Sequence, residues 1–142
     1  VELSYKTKVK ASERVQIRSS QDSYKIFQSV YDYNKIEHKE MFYAMYLNRQ
    51  NKVLGVLLIS EGGITGTVAD VRIIFQGAIK LNASAMVVSH NHPSGNTTPS
   101  NTDIELTKRI KEAGKILEIT LIDHIIITAD DYYSFSDNGN VV

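Results

Sequence analysis

The segment SAMVVSH, residues 84–90, constrains the fold more than any other part of the chain. A short run of small and apolar residues of this length is typical of a buried β-strand. Pro93 lacks a backbone donor and prevents a hydrogen-bonded ladder from continuing, so the strand has to end near the two histidines that precede it. The sequence therefore predicts a buried strand that carries His90 and His92 at its end, where a site would be open to a substrate.

Helical and extended patterns alternate around this strand. Three helices are predicted from apolar residues at helical spacing, each with a capping box at its start (Ser19 with Asp22, Thr67 with Asp70, Ser100 with Asp103), at residues 19–34, 67–83 and 100–117. Alternating or β-branched segments predict further strands at 40–47, 52–60 and 119–128, the first two joined as a hairpin. On the last helix we expect Leu106, Ile110, Ala113 and Leu117 to face the core. This alternation favours an α/β (α+β) sandwich of two or three layers, in which helices flank a mixed β-sheet.

Length, composition and charge indicate one globular domain. The chain has 142 residues, 42% of them apolar, and its sixteen Lys and Arg balance sixteen Asp and Glu, so no net positive charge attracts nucleic acid or an anionic membrane. Its longest apolar runs fall short of the roughly 20 residues of a membrane span, and its first residues lack a signal-peptide core, so we expect a cytoplasmic protein without membrane contact. Residues 1–18 are expected to form an arm or edge strand, and residues 19–142 the domain.

The same stretch of chain contains side chains suited to a metal ion. The chain has no cysteine, so His, Asp, Glu or water must supply every ligand. Side chains alternate in an extended segment, so His90 and His92 point to the same side, and Asp103 in the first turn of the next helix can supply a third ligand. Three protein ligands and one water are typical of catalytic zinc, which lowers the pKa of that water to about 7.

Each half of this pattern also has an ordinary explanation. Ser100 and Asp103 form a capping box that any helix can use, and two histidines on a strand are more often ordinary polar residues than ligands. Their occurrence together within residues 90–103, around a loop shaped by Pro and Gly, favours the metal site.

The segment HNHPSGNTTPSNTD is similar to the signature of the JAMM (JAB/MPN+) metalloproteases, which is His-x-His, seven residues, then Ser-x-x-Asp. SHNHPSG, PSNTD, LIDHIII and YYSFSDNG more closely resemble the bacterial RadC family, over about residues 20–140. The resemblance implies a JAB/MPN-like (cytidine deaminase-like) zinc hydrolase fold. In it His90, His92 and Asp103 match the metal ligands, and Ser100 matches the residue that helps to stabilise the oxyanion.

The resemblance also implies a general-base glutamate near the start of the hairpin, and Glu40 matches that position. A carboxylate near a zinc-bound water can take its proton and later deliver it to a leaving amine. Alternation places Glu40 on the face of Phe42, Ala44 and Tyr46. Two other glutamates, Glu37 and Glu61, remain alternatives on the sequence alone.

Several neighbouring polar residues receive structural interpretations. Asn91 is expected to point away from the two histidines, and Gly95 to supply a backbone angle that other residues resist. Asp123 and His124 lie in an apolar strand, where a hydrogen-bonded core role is favoured and a role for His124 in orienting a metal ligand is the alternative. The aromatic residues Tyr132, Tyr133 and Phe135 are expected to close the edge of the sheet.

Hydrolysis of an amide, in a peptide or isopeptide bond, by a Glu40-activated, zinc-bound water is the leading functional hypothesis. The alternative is an accessory or binding protein associated with DNA repair or mobile elements, because the RadC name has a historical link to DNA repair. That family commonly has a helix-hairpin-helix region before the metal domain, and we expect none in a chain of this length, so direct DNA binding is not expected. Metal-dependent phosphodiester cleavage ranks last, because such chemistry favours carboxylate-rich sites with two metals.

Two kinds of partner are expected. One is a peptide or protein substrate, of which the sequence gives no identity. The other is a second copy of the chain, paired through an edge strand.

Overall fold

The computed structural model describes residues 8–62 and 69–142. It contains three α-helices and five β-strands, which are α1 (Ser20–Val30), β1 (Met41–Leu47), β2 (Val53–Glu61), α2 (Val71–Lys80), β3 (Ala85–Asn91), α3 (Asn101–Leu117), β4 (Thr120–Ile127) and β5 (Tyr132–Ser134). The predicted helices and strands are thereby confirmed, with bounds that differ by up to four residues in the helices. None of the helices in these two ranges has both the length and the apolar character that crossing a membrane requires.

The strands form one mixed sheet in the order β2-β1-β3-β4-β5. β1 is antiparallel to β2 and β3, β3 is parallel to β4, and β5 is antiparallel to β4. Every residue of β3 is buried, so the strand predicted from SAMVVSH is the covered centre of the sheet. The parallel step from β3 to β4 needs a crossover connection, and α3 provides it. The predicted edge position is confirmed for Tyr132 and Tyr133 in β5, whereas Phe135, predicted with them, follows the strand and is fully buried.

Helices cover both faces of the sheet and produce three layers. On one face, Phe27 of α1 belongs to one core with Met45, Val87 and Ile125 of three successive strands. On the other face, Ile74 and Phe75 of α2 and Ile110 of α3 form a second core with alternate residues of the same strands. The fold class predicted from the sequence, a mixed sheet flanked by helices, is therefore confirmed.

The start of α2 differs from the prediction. Residue 67 lies outside the described residues, and the helix begins at Val71 with Asp70 as its N-cap. Asp70 has extended backbone angles, and its carboxylate accepts a hydrogen bond from the Arg72 backbone N–H at 2.9 Å. An aspartate at this position satisfies an N–H group that has no partner inside the helix.

The buried face of α3 also differs in part from the prediction. The predicted face is confirmed for Ile110, which is buried, and for Leu106 and Ala113, which pack partly buried against the core. Thr107 and Gly114 are also buried, and the prediction is wrong for Leu117, which has 45% of its surface exposed. The helix ends at Leu117, and Glu118 adopts a left-handed conformation with φ of 59°. The chain then turns back, so that the Ile119 N–H donates to the Gly114 carbonyl at 2.8 Å.

The arm predicted at residues 1–18 lies partly outside the described residues. Its described part contains a short 3-10 helix at Ala11–Glu13 and an isolated bridge between Gln16 and Lys52 beside the β1–β2 hairpin. Ile17 is buried in the core under α1, so the end of the arm is attached to the domain.

Candidate metal centre

Three sequence-predicted ligands meet where β3 ends and α3 begins. His90 is the penultimate residue of β3, His92 follows the strand, and Asp103 lies in the first turn of α3. The backbone N–H of His92 donates to the Ile127 carbonyl at 2.9 Å, so the chain stays aligned with β4 and keeps both imidazoles on one side. One ligand atom from each of these three residues lies within 4.8 Å of the others.

The contacts within this group are short. Nε2 of His90 lies 3.2 Å from Oδ1 of Asp103, and Nε2 of His92 lies 3.0 Å from Oδ2 of the same carboxylate. The two Nε2 atoms are 2.9 Å apart. His90 has only 2% of its side chain exposed, whereas His92 and Asp103 are partly exposed, so the group is open on one side.

The charges in this group influence one another. Burial alone would raise the pKa of Asp103, but the Nε2–H groups of His90 and His92, which donate to the carboxylate when the rings are protonated, outweigh burial and hold that pKa well below its usual range. Burial alone would lower the pKa of His92, but its bonds to Asp103 and to the Asn96 carbonyl outweigh burial and raise it. Asp103 is therefore an anion at neutral pH, and the site favours a positive charge.

The capping box and the ligand geometry are compatible at the start of α3. The Ser100 hydroxyl accepts from the Asp103 N–H at 3.1 Å, and Oδ2 of Asp103 accepts from the Ser100 N–H at 2.8 Å. The capping box thus fixes the carboxylate while both of its oxygens still face the histidines. Ser100 itself is exposed beside the site, and its part in stabilising an oxyanion stays a prediction.

A tight turn determines which nitrogen of His92 faces the site. Nδ1 of His92 lies 2.6 Å from the Asn96 carbonyl oxygen, which can only accept, so Nδ1 carries the proton. Gly95 makes this turn with φ of 86°, as predicted for a position that other residues resist. In a neutral His92 ring, Nε2 then presents a lone pair to Asp103 and His90.

Asn91 points away from the metal site, as predicted, and holds the segment before β1. Its amide donates to the Ile36 carbonyl at 2.8 Å and to the Lys39 carbonyl at 2.9 Å. Its side-chain oxygen accepts from the Met41 N–H at 2.7 Å. These bonds enclose Glu40, so the residue between the two histidines fixes the backbone on both sides of that glutamate.

The three candidate glutamates have different surroundings. Oε1 of Glu40 lies 3.9 Å from Nε2 of His90, and Glu40 lines a cavity of about 190 Å³ with Phe42, His90 and Asp103. Glu61 instead pairs with Lys39 at 3.2 Å, and Glu37 is exposed on the preceding turn. Of the three, the geometry places Glu40 beside the candidate ligands.

His124 lies directly against a candidate ligand. Its Nε2 is 2.7 Å from Nδ1 of His90, and its Nδ1 is 2.7 Å from Oγ1 of Thr107. Burial and the neighbouring His90 lower the pKa of His124 well below its usual range. The core position favoured from the sequence is confirmed. The alternative, a role in orienting a metal ligand, stays a prediction, and the contact with His90 is compatible with it. Thr107 is absent from the sequence prediction, and its spacing one helical turn after Asp103 is the signal that could have indicated it.

The donor set fits a divalent transition metal. Two imidazole nitrogens and a carboxylate oxygen converge within hydrogen-bond distances, and atoms that all carry lone pairs repel one another unless a proton or a cation lies between them. Zinc accepts this combination of nitrogen and oxygen ligands. The group could therefore bind a metal ion.

The chain is similar to known proteins over most of its length. Residues 17–140 match the family described as "RadC-like JAB domain". A UPF0758 protein of Flavobacterium johnsoniae is 43% identical over 123 residues, which cover 87% of this chain and 52% of the relative. UPF0758 proteins of Symbiobacterium thermophilum and Thermosynechococcus vestitus are 39% and 42% identical over 70% and 69% of this chain, and 43% and 39% of their own lengths. The chain thus spans about half or less of the curated relatives it matches.

Proposed function

The chain belongs to the RadC-like JAB domain family, and on that premise we propose that it is a zinc-dependent metallohydrolase that cleaves an amide bond. The observation that carries this proposal is the convergence of His90, His92 and Asp103 beside a further carboxylate, Glu40. Three ligands from the protein leave a coordination position for water or substrate, as catalytic zinc sites do. His90, His92 and Asp103 would hold the ion. A bound zinc ion supplies Lewis acidity, which polarises a carbonyl and makes water more acidic.

Glu40 is proposed as the general base. A carboxylate placed here can accept the proton of the attacking water and then transfer it to the departing amine. Its distance of 3.9 Å from Nε2 of His90 supports this role, because it puts the carboxylate beside the ligands without making it one of them. Glu61 is less suited, since its carboxylate is paired with Lys39 and Lys35.

Ser100 is proposed to help stabilise the negative charge that develops on the carbonyl oxygen. Its hydroxyl accepts a hydrogen bond from the Asp103 N–H, and a hydroxyl that accepts one bond can still donate another. A donor directed at a developing oxyanion accelerates acyl transfer. The capping interaction would hold Ser100 close to the carboxylate ligand.

A peptide or protein is the proposed substrate class, joined by a peptide or isopeptide bond. The cavity beside Glu40 has an apolar wall of Phe42, Ala69 and Leu106, which suits a side chain next to the scissile bond. Self-association through an edge strand also stays a proposal. β2 is an edge of the described sheet, and its Leu57 and Leu58 are exposed.

Cleavage of a mixed peptide and isopeptide library by the zinc-loaded protein, followed by mass spectrometry, tests the proposal. We expect products with a new amine and a new carboxylate, and we expect their formation to stop in His92→Ala and after chelation. Cleavage at an unchanged rate in His92→Ala would contradict the proposed site. A zinc-loaded protein that cleaves nothing would favour the accessory role, for which a steep salt dependence of DNA affinity is the measurement.

A further inference from the structure

A continuous series of hydrogen-bonded polar groups contacts His90 at Nδ1, while Nε2 of the same ring faces Asp103. It starts at the backbone carbonyl of Asp103, passes through the Thr107 hydroxyl and the His124 ring, and ends at Nδ1 of His90. The successive distances are 2.6 Å, 2.7 Å and 2.7 Å. Both ends of this series therefore belong to candidate metal ligands, Asp103 and His90. Thr107 and His124 themselves lie outside the ligand set.

The direction of the hydrogen bonds follows from the carbonyl end. A carbonyl oxygen only accepts, so the contact of 2.6 Å between it and Oγ1 requires Thr107 to donate its single hydroxyl proton there. Oγ1 then has no proton left for His124 and must accept from it. Nδ1 of His124 therefore carries a proton.

The same reasoning continues to the metal site. A neutral imidazole has one N–H, so Nε2 of His124 is an acceptor when Nδ1 is the donor. Nδ1 of His90 lies 2.7 Å from that acceptor and has to donate. The proton of a neutral His90 is thus held on Nδ1, and the lone pair of Nε2 points toward Asp103 and His92.

We propose that Thr107 and His124 are positioning residues that hold the His90 proton on Nδ1 and so keep its Nε2 available to a metal ion. The inference rests on the proposed function only in taking His90 as a ligand. In His92 the proton is held on Nδ1 in the same way, by the backbone carbonyl of Asn96. His90 lies inside the sheet, where β3 and β4 use their carbonyls to pair with each other, so side chains take over this task.

The surroundings of His124 keep its ring from turning. Phe135 stacks on it with ring centroids 4.7 Å apart and planes inclined by 10°. Asp123 holds the segment that carries Phe135, because its carboxylate accepts from the Ser134 hydroxyl at 2.6 Å and from the Ser136 N–H at 2.9 Å. Asp123, Ser134 and Ser136 thus hold Phe135 against the His124 ring.

Thr107→Val tests the proposal most sharply, because valine has nearly the shape of threonine but no hydroxyl. Without that acceptor, His124 can place its proton on Nε2, which removes the acceptor for His90 and moves the His90 proton to its own Nε2. We expect zinc affinity to fall about 10- to 100-fold, the usual effect of losing a group that orients a metal-binding histidine. Thr107→Ser keeps the hydroxyl and is the matched control, with affinity close to that of the wild type.

The proton positions are read directly from long-range ¹H–¹⁵N spectra of the metal-free protein, recorded at pH 9, above the ordinary imidazole pKa of about 6.5. We expect Nδ1–H in both His124 and His90 of the wild type and of Thr107→Ser, and a shift toward Nε2–H in Thr107→Val. Nε2–H on His124 in the wild type, or unchanged tautomers and zinc affinity in Thr107→Val, would overturn the proposal. Neither measurement needs a substrate, so failure to hydrolyse amides would contradict the proposed function and leave this inference standing.

Discussion

Oε1 of Glu40 lies 3.9 Å from Nε2 of His90, although Glu40 precedes β1 and His90 lies near the end of the neighbouring strand β3. Antiparallel pairing of Phe42 with His90 produces this proximity, because it aligns the start of β1 with the end of β3. The sheet itself therefore brings a candidate base to a candidate ligand.

Glu40→Gln should retain zinc and lose turnover by about 10²- to 10⁴-fold, the contribution typical of a general base. The amide keeps the size of the side chain but accepts a proton poorly. Zinc content and cleavage rate are measured on the same preparation, with Glu61→Gln as the matched control. An active Glu40→Gln together with an inactive Glu61→Gln would assign the base to Glu61.

Asn91→Ala should lower the free energy of unfolding by about 1–3 kcal/mol, because it leaves buried backbone groups without partners. The carbonyls of Ile36 and Lys39 and the Met41 N–H all lose a bond. If Glu40 is the base, turnover should fall while zinc content stays unchanged. Urea unfolding measures the loss of stability, and metal analysis measures the zinc content. Asn34→Ala, at an exposed position before β1, is the control and should change neither stability nor zinc content. A loss of zinc in Asn91→Ala with full stability would contradict the role assigned to Asn91.

The pairing of Asp103 with His92 makes the stability of the metal-free protein depend on pH. The lowered pKa of Asp103 gives a contribution that is complete above the ordinary carboxyl pKa of about 4 and is lost as pH falls through the lower folded value. The raised pKa of His92 gives a contribution that is complete below about 6.5 and is lost as pH rises through the higher folded value. The pair is therefore strongest between these two limits.

Asp103→Asn should consequently reduce the free energy of unfolding more at pH 5.5 than at pH 8.5. Urea unfolding of metal-free protein at both pH values measures the difference. Asp130→Asn, a change at an exposed carboxylate, is the control and should show little change at either pH. A deficit of Asp103→Asn that grows from pH 5.5 to pH 8.5 would contradict this account.

Gly114→Ala should lower the free energy of unfolding, because overpacking typically costs about 1–3 kcal/mol. A Cβ at this position would overlap the backbone carbonyl of Ile119, which the turn after α3 holds in place. This cost should exceed the gain of about 1 kcal/mol in helix propensity. Lys115→Ala, at the exposed neighbouring position, is the control and should change stability by no more than about 0.5 kcal/mol. A Gly114→Ala protein as stable as the wild type would contradict the prediction and show that the turn after α3 can move to make room.

Local patterns predicted the parts of the site that lie close together in sequence. Alternation in an extended segment put His90 and His92 on one side, and capping-box spacing put Asp103 in the first turn of α3. The apparent choice between cap and ligand disappears in the structure, because the same carboxylate caps the helix and faces both histidines. Pattern alone could not choose Glu40 over Glu61, since the choice depends on which strand lies beside β3 and on the lysines that pair with Glu61.

The contacts that sequence patterns left open depend on register between distant segments. His124 reaches His90 because β4 is parallel to β3 with Val88 opposite His124, and no local pattern specifies that alignment. Leu117 has the spacing of a core residue, yet α3 ends there and leaves it exposed. Thr107 looks like an ordinary polar residue on a helix until β4 is placed against it.

Elemental mass spectrometry of wild type and His92→Ala, purified without added metal or chelator, tests the central claim most directly. We expect about one zinc ion per wild-type chain, as a site with three protein ligands should hold, and loss of most of it in His92→Ala, with an unchanged circular dichroism spectrum. Stoichiometric zinc in His92→Ala would contradict the ligand assignment. The absence of metal from both proteins, even after zinc is added back, would contradict the metal site itself.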